Sequence, residues 1–398
     1  MKPIPTDYVA PPKLERHGIA LALSGGGYRA TLFHLGAVRR LNELGTLSKI
    51  TTFCSVSGGS ILNAQLATNL PWPLAGPLPS VEWNRRITAP IRSFTSRDIR
   101  TDSLAKRWLL PWNWFRDTTE IEHLAKHYEA WFPSKLVGLP EAPEFIFCST
   151  NLAVGINWTF THDRMGDLAL GHAPMPPDWS LGRTVAASSC FPPVFNPLPI
   201  RIPAERFSGG YATPQDKAAA FRDLRIDDGG TYDTLGLESV WKTHATILCS
   251  DGGGAFLITP DRDWLDRIKR YLTIQFNQSV NVRKRWLIDS FVRGEYDGAY
   301  WGASSAPIRY GIMLGYSKEL ARTVISQIRT DLDHFSESEQ AVLENHGYFL
   351  ADAALKTHAP QLITNPNASL EVPNPDWMDE KKVKQALKDS GKNKLLGH

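Results

Sequence analysis

Residues 18–24, GIALALS, form an apolar run without alternation, suited to a strand covered on both faces, and they lead directly into Gly25, Gly26 and Gly27. Beyond the glycines, Ala30, Phe33, Ala37, Leu41 and Leu44 recur at helical spacing. Arg39, Arg40, Asn42 and Glu43 supply polar positions, and Gly45 supplies a C-terminal stop. The pattern predicts a strand, a glycine loop and a helix. It repeats with a strand at about 50–55, a sharp turn at Ser57, and a helix over 58–69 that Pro71 ends. Residues 70–140 differ: eight prolines punctuate short helical stretches and six of the thirteen tryptophans lie there, so the segment reads as an insertion or lid. Strands resume at 144–151, EFIFCSTN, paired with 155–162, and continue at 224–228 and 245–250. A mainly helical part follows, in which Ser336 and Glu339 form a capping box opening a helix to about 356. The lysine-rich segment after 366 is expected to be loosely held. The alternation predicts an α/β fold. Residues 1–17 are an arm, 18–365 one domain (insertion about 70–140, helical part about 256–365), and 366–398 a tail.

Composition narrows the function more than the fold. With 42% hydrophobic and 21% charged residues the chain is ordinary for a globular protein, and its apolar runs fall short of the roughly 18 residues a membrane span needs. The first 17 residues lack the basic start and apolar core of a secretory signal, which predicts a cytoplasmic chain with at most peripheral membrane contact. A net charge of +3 is too small to imply nucleic acid as a partner. Neither a zinc-type Cys/His spacing nor an EF-hand loop occurs, so no metal is expected. Cys54, Cys148 and Cys249 each close a short apolar run, and the four cysteines read as buried core thiols.

The loop Ser24-Gly25-Gly26-Gly27-Tyr28-Arg29 sits where a strand enters a helix, so open backbone N–H groups and the positive helix end converge on a site for negative charge. A phosphate-binding P-loop would need Gly-Lys-Ser/Thr after four intervening residues, and none follows. Gly25-x-Gly27-x-x-Ala30 matches the dinucleotide fingerprint at its small positions, but the second strand ends in Cys54-Ser55-Val56-Ser57 where that fold wants an acid. The remaining role is an oxyanion hole.

Ser55-Val56-Ser57-Gly58-Gly59 supplies the nucleophile that such a hole requires. It is a variant of G-x-S-x-G placed between a strand and a helix, where bulky neighbours two places away would collide. Gly59 fits, and Ser55 departs by one small side chain. Serine needs a base. His34 lies inside the first predicted helix and reads as a packing residue, while His123 and His127 share a helix face, lack the Glu of H-E-x-x-H and read as solvated. The carboxylates left are Asp228 in RIDDGG and Asp251 in SDGGG, both at strand ends, and spacing does not choose between them.

Four blocks in order, SGGGYRA (24–30), SVSGGS (55–60), AASSCFPPVF (186–195) and DGGTYDTLGLE (228–238), resemble the patatin-like phospholipase family. FCSTNLAVG (147–155) and ILCSDGGG (247–254) resemble its intervening and following strands, so the likeness covers residues 18 to about 255. It implies a three-layer sandwich with a mainly parallel central sheet and helices on both faces. It implies a Ser–Asp dyad without histidine, which maps to Ser57 and Asp228 and leaves Asp251 at a turn. Gly25, Gly26 and Gly27 then form the hole, Gly58 and Gly59 support the elbow, and no cofactor is needed. The implied activity is lipid acyl hydrolysis of the phospholipase A type on membrane lipid or another acyl ester. An esterase or thioesterase on soluble acyl compounds is the alternative, and a dinucleotide-dependent oxidoreductase the remote one. Arg29 matches an arginine proposed in such enzymes to meet the lipid phosphate, and bracing of the loop is its other reading.

Residues 83–116 carry eight Arg or Lys against two Asp, interleaved with Trp83, Trp108, Trp112 and Trp114. That composition suits a membrane interface, and equally tryptophans folded onto a core with arginines around them.

Overall fold

The computed structural model describes residues 15–109, 119–192, 194–254, 256 and 264–392. β1 (Ile19–Leu23) passes through the glycines into α1 (Gly27–Glu43), and β2 (Thr52–Val56) turns at Ser57 into α2 (Gly58–Asn69). Four helices follow, α3 (Ser80–Trp83), α4 (Ala89–Thr95), α5 (Ile99–Leu109) and α6 (Thr119–Trp131). β3 (Glu144–Asn151) re-enters the sheet and leads to β4 (Ile156–Phe160), β5 (Arg164–Asp167) and β6 (Gly171–Pro174). After α7 (Leu181–Ser189) come β7 (Leu198–Pro199), α8 (Pro214–Ala220), β8 (Arg225–Asp228) and α9 (Gly230–Asp233). β9 (Thr246–Asp251), α10 (Trp264–Val292), β10 (Asp297–Gly302), α11 (Lys318–Thr323), α12 (Glu337–His358) and α13 (Glu380–Ala386) complete the chain.

The sheet runs β10-β9-β1-β2-β3-β4-β5-β6, with helices packed around it in an α/β arrangement. The first five strands are parallel, and β4 to β6 extend them as an antiparallel meander. β1 lies between two parallel neighbours and Ala20 to Leu23 are fully buried, which explains an apolar run without alternation.

β8 decides the geometry of the site. β4 occupies one edge of β3, so β2 and β8 must share the other: Val56 pairs with Cys148, and Asp228 pairs with Ser149. β2 is parallel to β3 and β8 antiparallel, so the two strands approach head-on and end at consecutive positions of one neighbour.

α1 is buried from Gly27 to Asn42, so Arg39, Arg40 and Asn42, read from the sequence as the helix's polar positions, lie inside the protein. Arg40 Nε donates to Asp352 Oδ1 and its Nη1 to Glu43 Oε2, both at 2.8 Å, which satisfies the buried charge. α1 and α12 cross with backbones in contact. A Cβ at Gly36 would stand 1.7 Å from Glu344 O, and one at Gly347 1.8 Å from Phe33 O.

Two expectations are corrected. The described part of 70–140, expected as an insertion or lid, belongs to the core: Trp83, Ile87, Ile91, Ile121, Leu124 and Tyr128 are fully buried, and for Trp83 the core reading holds over the interfacial one. Trp112 and Trp114 lie outside the described residues. The segment after 366 is also anchored as far as it is described, because α13 inserts fully buried Val383 and Ser390 O accepts from Arg329 N–H at 2.9 Å. The capping box at Ser336 and Glu339 is present, as is the β3–β4 pairing. Among the described residues no helix is long and apolar enough to cross a membrane.

Gly347→Ala should lower the unfolding free energy by about 1–3 kcal/mol, since overpacking forces the two backbones apart. Urea titration would show it as a lower midpoint; an unchanged midpoint would mean the crossing tolerates a methyl group.

Candidate active site

Ser57 has φ 50° and ψ −119°, and no other non-glycine residue among those described has a positive φ. Such a conformation costs roughly 1–3 kcal/mol and needs outside support. Its N–H donates to Ser188 Oγ at 2.9 Å, and the Ser188 hydroxyl donates to Cys148 O at 2.6 Å, tying the turn to α7 and β3. Glycines let the neighbouring backbones close in: a Cβ at Gly58 would lie 2.0 Å from Gly27 O, and one at Gly59 2.3 Å from Leu23 O. The two strand–turn–helix units are thus pressed together, and a Cβ at Gly25 would be 3.2 Å from that of Ser57.

The three loop glycines are not equivalent. Gly25 N–H donates to Thr234 O at 2.9 Å, so it is already committed. Gly26 and Gly27 have φ of 141° and 58°, and among the described residues their N–H groups have no acceptor. They stand at the N-terminus of α1, where the helix dipole favours negative charge.

Both candidate carboxylates line the same cavity of about 1840 Å³ as Ser57 and the glycine loop, but their surroundings differ. Asp251 is fully engaged: Oδ1 accepts from Gly253 N–H at 2.9 Å and Oδ2 from the Tyr300 hydroxyl at 2.5 Å. Asp228 is 1% exposed; its Oδ1 accepts from Gly230 N–H at 2.7 Å, while its buried Oδ2 has no hydrogen-bond partner among the described residues. Burial raises its pKa to about 7, Gly230 N–H opposes that, Asp227 adds to it, and the Ser57 hydroxyl lowers it. The Ser57 hydroxyl is therefore a neighbour of this carboxyl, at a separation looser than a full hydrogen bond to Oδ2. Asp227, next in the chain, faces Thr231 and Cys190 and is raised by burial to about 6.

Arg29 is a strut. Only 5% exposed, it donates from Nε to Gly252 O at 3.0 Å and from Nη1 to Ile328 O at 2.8 Å, joining the glycine loop to two others. Burial lowers its pKa to about 10, against the opposing pull of Asp251, so it stays charged near neutrality. His34 braces the same loop: a carbonyl only accepts, so Nε2–H donates to Ser24 O at 2.9 Å and Nδ1 accepts from the Ser250 hydroxyl at 2.7 Å. Burial lowers its pKa to about 4 and keeps the ring neutral. His127 is not merely solvated, since its Nε2 lies 2.7 Å from Asp102 Oδ2. All four cysteines are buried and free. Among the described residues no cluster of three or more His, Cys, Asp or Glu could hold a metal. Ser188 and Thr234 escaped the sequence reading: the first lies inside the AASSC block without any spacing that marks it, and the second acts through its backbone.

The fold and site define an α/β protein with a strained strand–turn–helix at Ser57 set against a glycine loop. Residues 21–241 match the family model described as patatin-like phospholipase, and the chain belongs to that family. No curated protein matches it. Among solved structures it is similar to human GIVD cytosolic phospholipase A2, at 15% identity and a TM-score of 0.39 over 60% of this chain and 46% of that one. For the same human protein in complex with methyl gamma-linolenyl fluorophosphonate the values are 14%, 0.45, 94% and 59%. VipD from Legionella pneumophila is similar at 14% identity and a TM-score of 0.32, over 87% and 67%. The chain thus spans about half the length of the human protein it resembles.

A carboxyl with a raised pKa weakens the fold. The Asp228 contribution is intact below the unfolded value near 4 and is lost as pH rises to the folded value of about 7. Asp228→Asn should therefore melt at a higher temperature than wild type at pH 8, by on the order of 1–4 kcal/mol of stability, with the gap vanishing near pH 4. Scanning calorimetry at both pH values tests this; an equal or lower stability at pH 8 would contradict the burial of an ionisable Asp228.

Proposed function

We propose that the chain is a lipid acyl hydrolase of the phospholipase A type, with Ser57 as nucleophile, Asp228 as base, and the N–H groups of Gly26 and Gly27 as the oxyanion hole. The observation that carries this is the head-on meeting of β2 and β8 on β3, which sets the strained serine beside a buried carboxylate with an unpartnered oxygen. Asp251, with both oxygens engaged, is poorly suited to take a proton.

Ionised Asp228 accepts the Ser57 proton as Ser57 Oγ bonds to the acyl carbon, and the carbonyl electron pair moves onto oxygen. Gly26 and Gly27 N–H stabilise that oxyanion. As the tetrahedral species collapses, the carbon–oxygen bond to the alcohol breaks, and the alcohol leaves with the proton that Asp228 holds. Water then repeats the sequence on the acyl-serine: Asp228 takes its proton and returns it to Ser57 Oγ, and the fatty acid is released. Ser57→Ala removes the bond-forming atom, and Asp228→Asn the acceptor. Ser188 acts on the turn and His34 on the loop, and Arg29 braces the loop while also lining the cavity.

A fluorophosphonate probe should label wild type and leave Ser57→Ala unlabelled, and Asp228→Asn should lose about 10²–10⁴-fold in kcat/KM on an acyl ester. Labelling of Ser57→Ala, or an Asp228→Asn variant as active as wild type, would overturn the dyad. Because only ionised Asp228 accepts a proton, kcat/KM should rise with pH through about 7 and then level. A lipid panel read by mass spectrometry distinguishes a phospholipase from an esterase of soluble acyl compounds.

A further inference from the structure

Among the described residues α10 leaves many of its large apolar side chains in solvent, although Leu287 near its C-terminal end is fully buried. Eight of the eighteen large apolar side chains exposed among the described residues belong to it, from Trp264 at 65% to Val292 at 81%. In its first three turns Trp264, Ile268, Tyr271 and Leu272 recur at i, i+4, i+7 and i+8 and so share one face, with Ile274 beside it, and all five are exposed. Water is a poor solvent for that surface, and a contiguous apolar patch of this kind marks a docking site.

The helix is also basic. Its sequence carries Arg267, Lys269, Arg270, Arg283, Lys284 and Arg285 against Asp266 and Asp289. Tyr271, Phe276 and Lys284 line the cavity that holds Ser57, so α10 runs along the cavity wall while Trp264, Ile268 and Leu272 stand outside the lining. The segment after β10 continues the rim: Arg309 and Tyr310 line the cavity, and Ile308, Met313 and Leu314 beside them are exposed.

We infer that α10, with the rim at 308–314, docks on a bilayer containing anionic lipid and so presents the cavity mouth to the lipid. An aromatic-rich apolar surface on a helix with a surplus of cations is what an interfacial helix needs: indole and phenol settle at the headgroup layer, and Lys or Arg meets the anionic heads. A second copy of the chain could cover an apolar surface too, but the cations of one copy would then face those of the other. The inference rests on the proposed lipid substrate, and it moves the membrane surface away from residues 83–116.

The test uses the full chain and sedimenting vesicles of phosphatidylcholine with or without 30 mol% phosphatidylserine, as an order-of-magnitude composition. Wild type should bind the anionic vesicles, bind the zwitterionic ones more weakly, and release as salt is raised. The variant Trp264→Ser/Ile268→Ser/Leu272→Ser should bind anionic vesicles at least about tenfold more weakly, while hydrolysing a water-soluble short-chain ester within about twofold of wild type. If the triple variant does not fold, Trp264→Ser alone should still give a measurable loss. Wild-type vesicle binding unchanged by these substitutions, no vesicle binding at all, or a wild-type dimer that the variant dissolves in sedimentation velocity would each overturn the inference. Failure of the catalytic proposal reads differently: wild type would then hydrolyse no ester while vesicle binding persisted.

Discussion

Two strands competing for one edge of a third is the constraint on which the site depends. β2 and β8 reach the edge of β3 from opposite directions and stop at Cys148 and Ser149. Neither can continue, so both chains must leave the sheet at once. Ser57 does so by a positive φ, and the chain after Asp228 does so at Gly229, where a Cβ would stand 2.5 Å from Cys148 O. Cys148 O lies between the two exits and accepts from the Ser188 hydroxyl, the group that also holds the Ser57 N–H. The strained turn, its brace and the carboxylate thus follow from a single collision of backbones.

The energetic cost is carried by the surroundings. Burial that removes water from Asp228 raises its pKa, and an oxygen left without a partner in that environment is unfavourable to the fold. Polar groups near it are mostly satisfied: Arg29 by two carbonyls, His34 by a carbonyl and a hydroxyl, Asp251 by an amide and a phenol. Among the described residues the Asp228 oxygen and the N–H groups of Gly26 and Gly27 lack partners at the cavity, and the buried hydroxyls of Ser149 and Tyr28 close by lack them too. Rigidity behind them comes from α1, buried along nearly its whole length and locked against α12 by glycine at two crossings.

α10 follows the opposite rule. Trp83, in a segment that reads as an insertion or lid, is fully buried, whereas α10 leaves eight large apolar side chains in solvent, the largest group in any one element among the described residues. Local pattern could not reveal this. The periodicity of a helix identifies an apolar face, but whether another element lies across from it depends on how the sheet is wrapped.

The sequence alone determined what depends on neighbours in the chain. A strand followed by glycines and an apolar helical repeat, an elbow around Ser57, the β3–β4 pair and the box at Ser336 and Glu339 are all local, because sterics and short-range hydrogen bonds dictate them. Tertiary structure decided what depends on register and packing. Asp228 and Asp251 both end strands before glycines, and they differ because β8 meets β2 head-on while Asp251 caps a strand two places away and spends its oxygens on Gly253 and Tyr300. Gly25 looked like an open donor, and only the distant Thr234 carbonyl engages its N–H. Arg40 and Val383 read as surface or tail residues, yet they are buried because elements far away in sequence close over them. A side chain's solvent and partners are properties of the assembled surfaces, and no window of the sequence contains them.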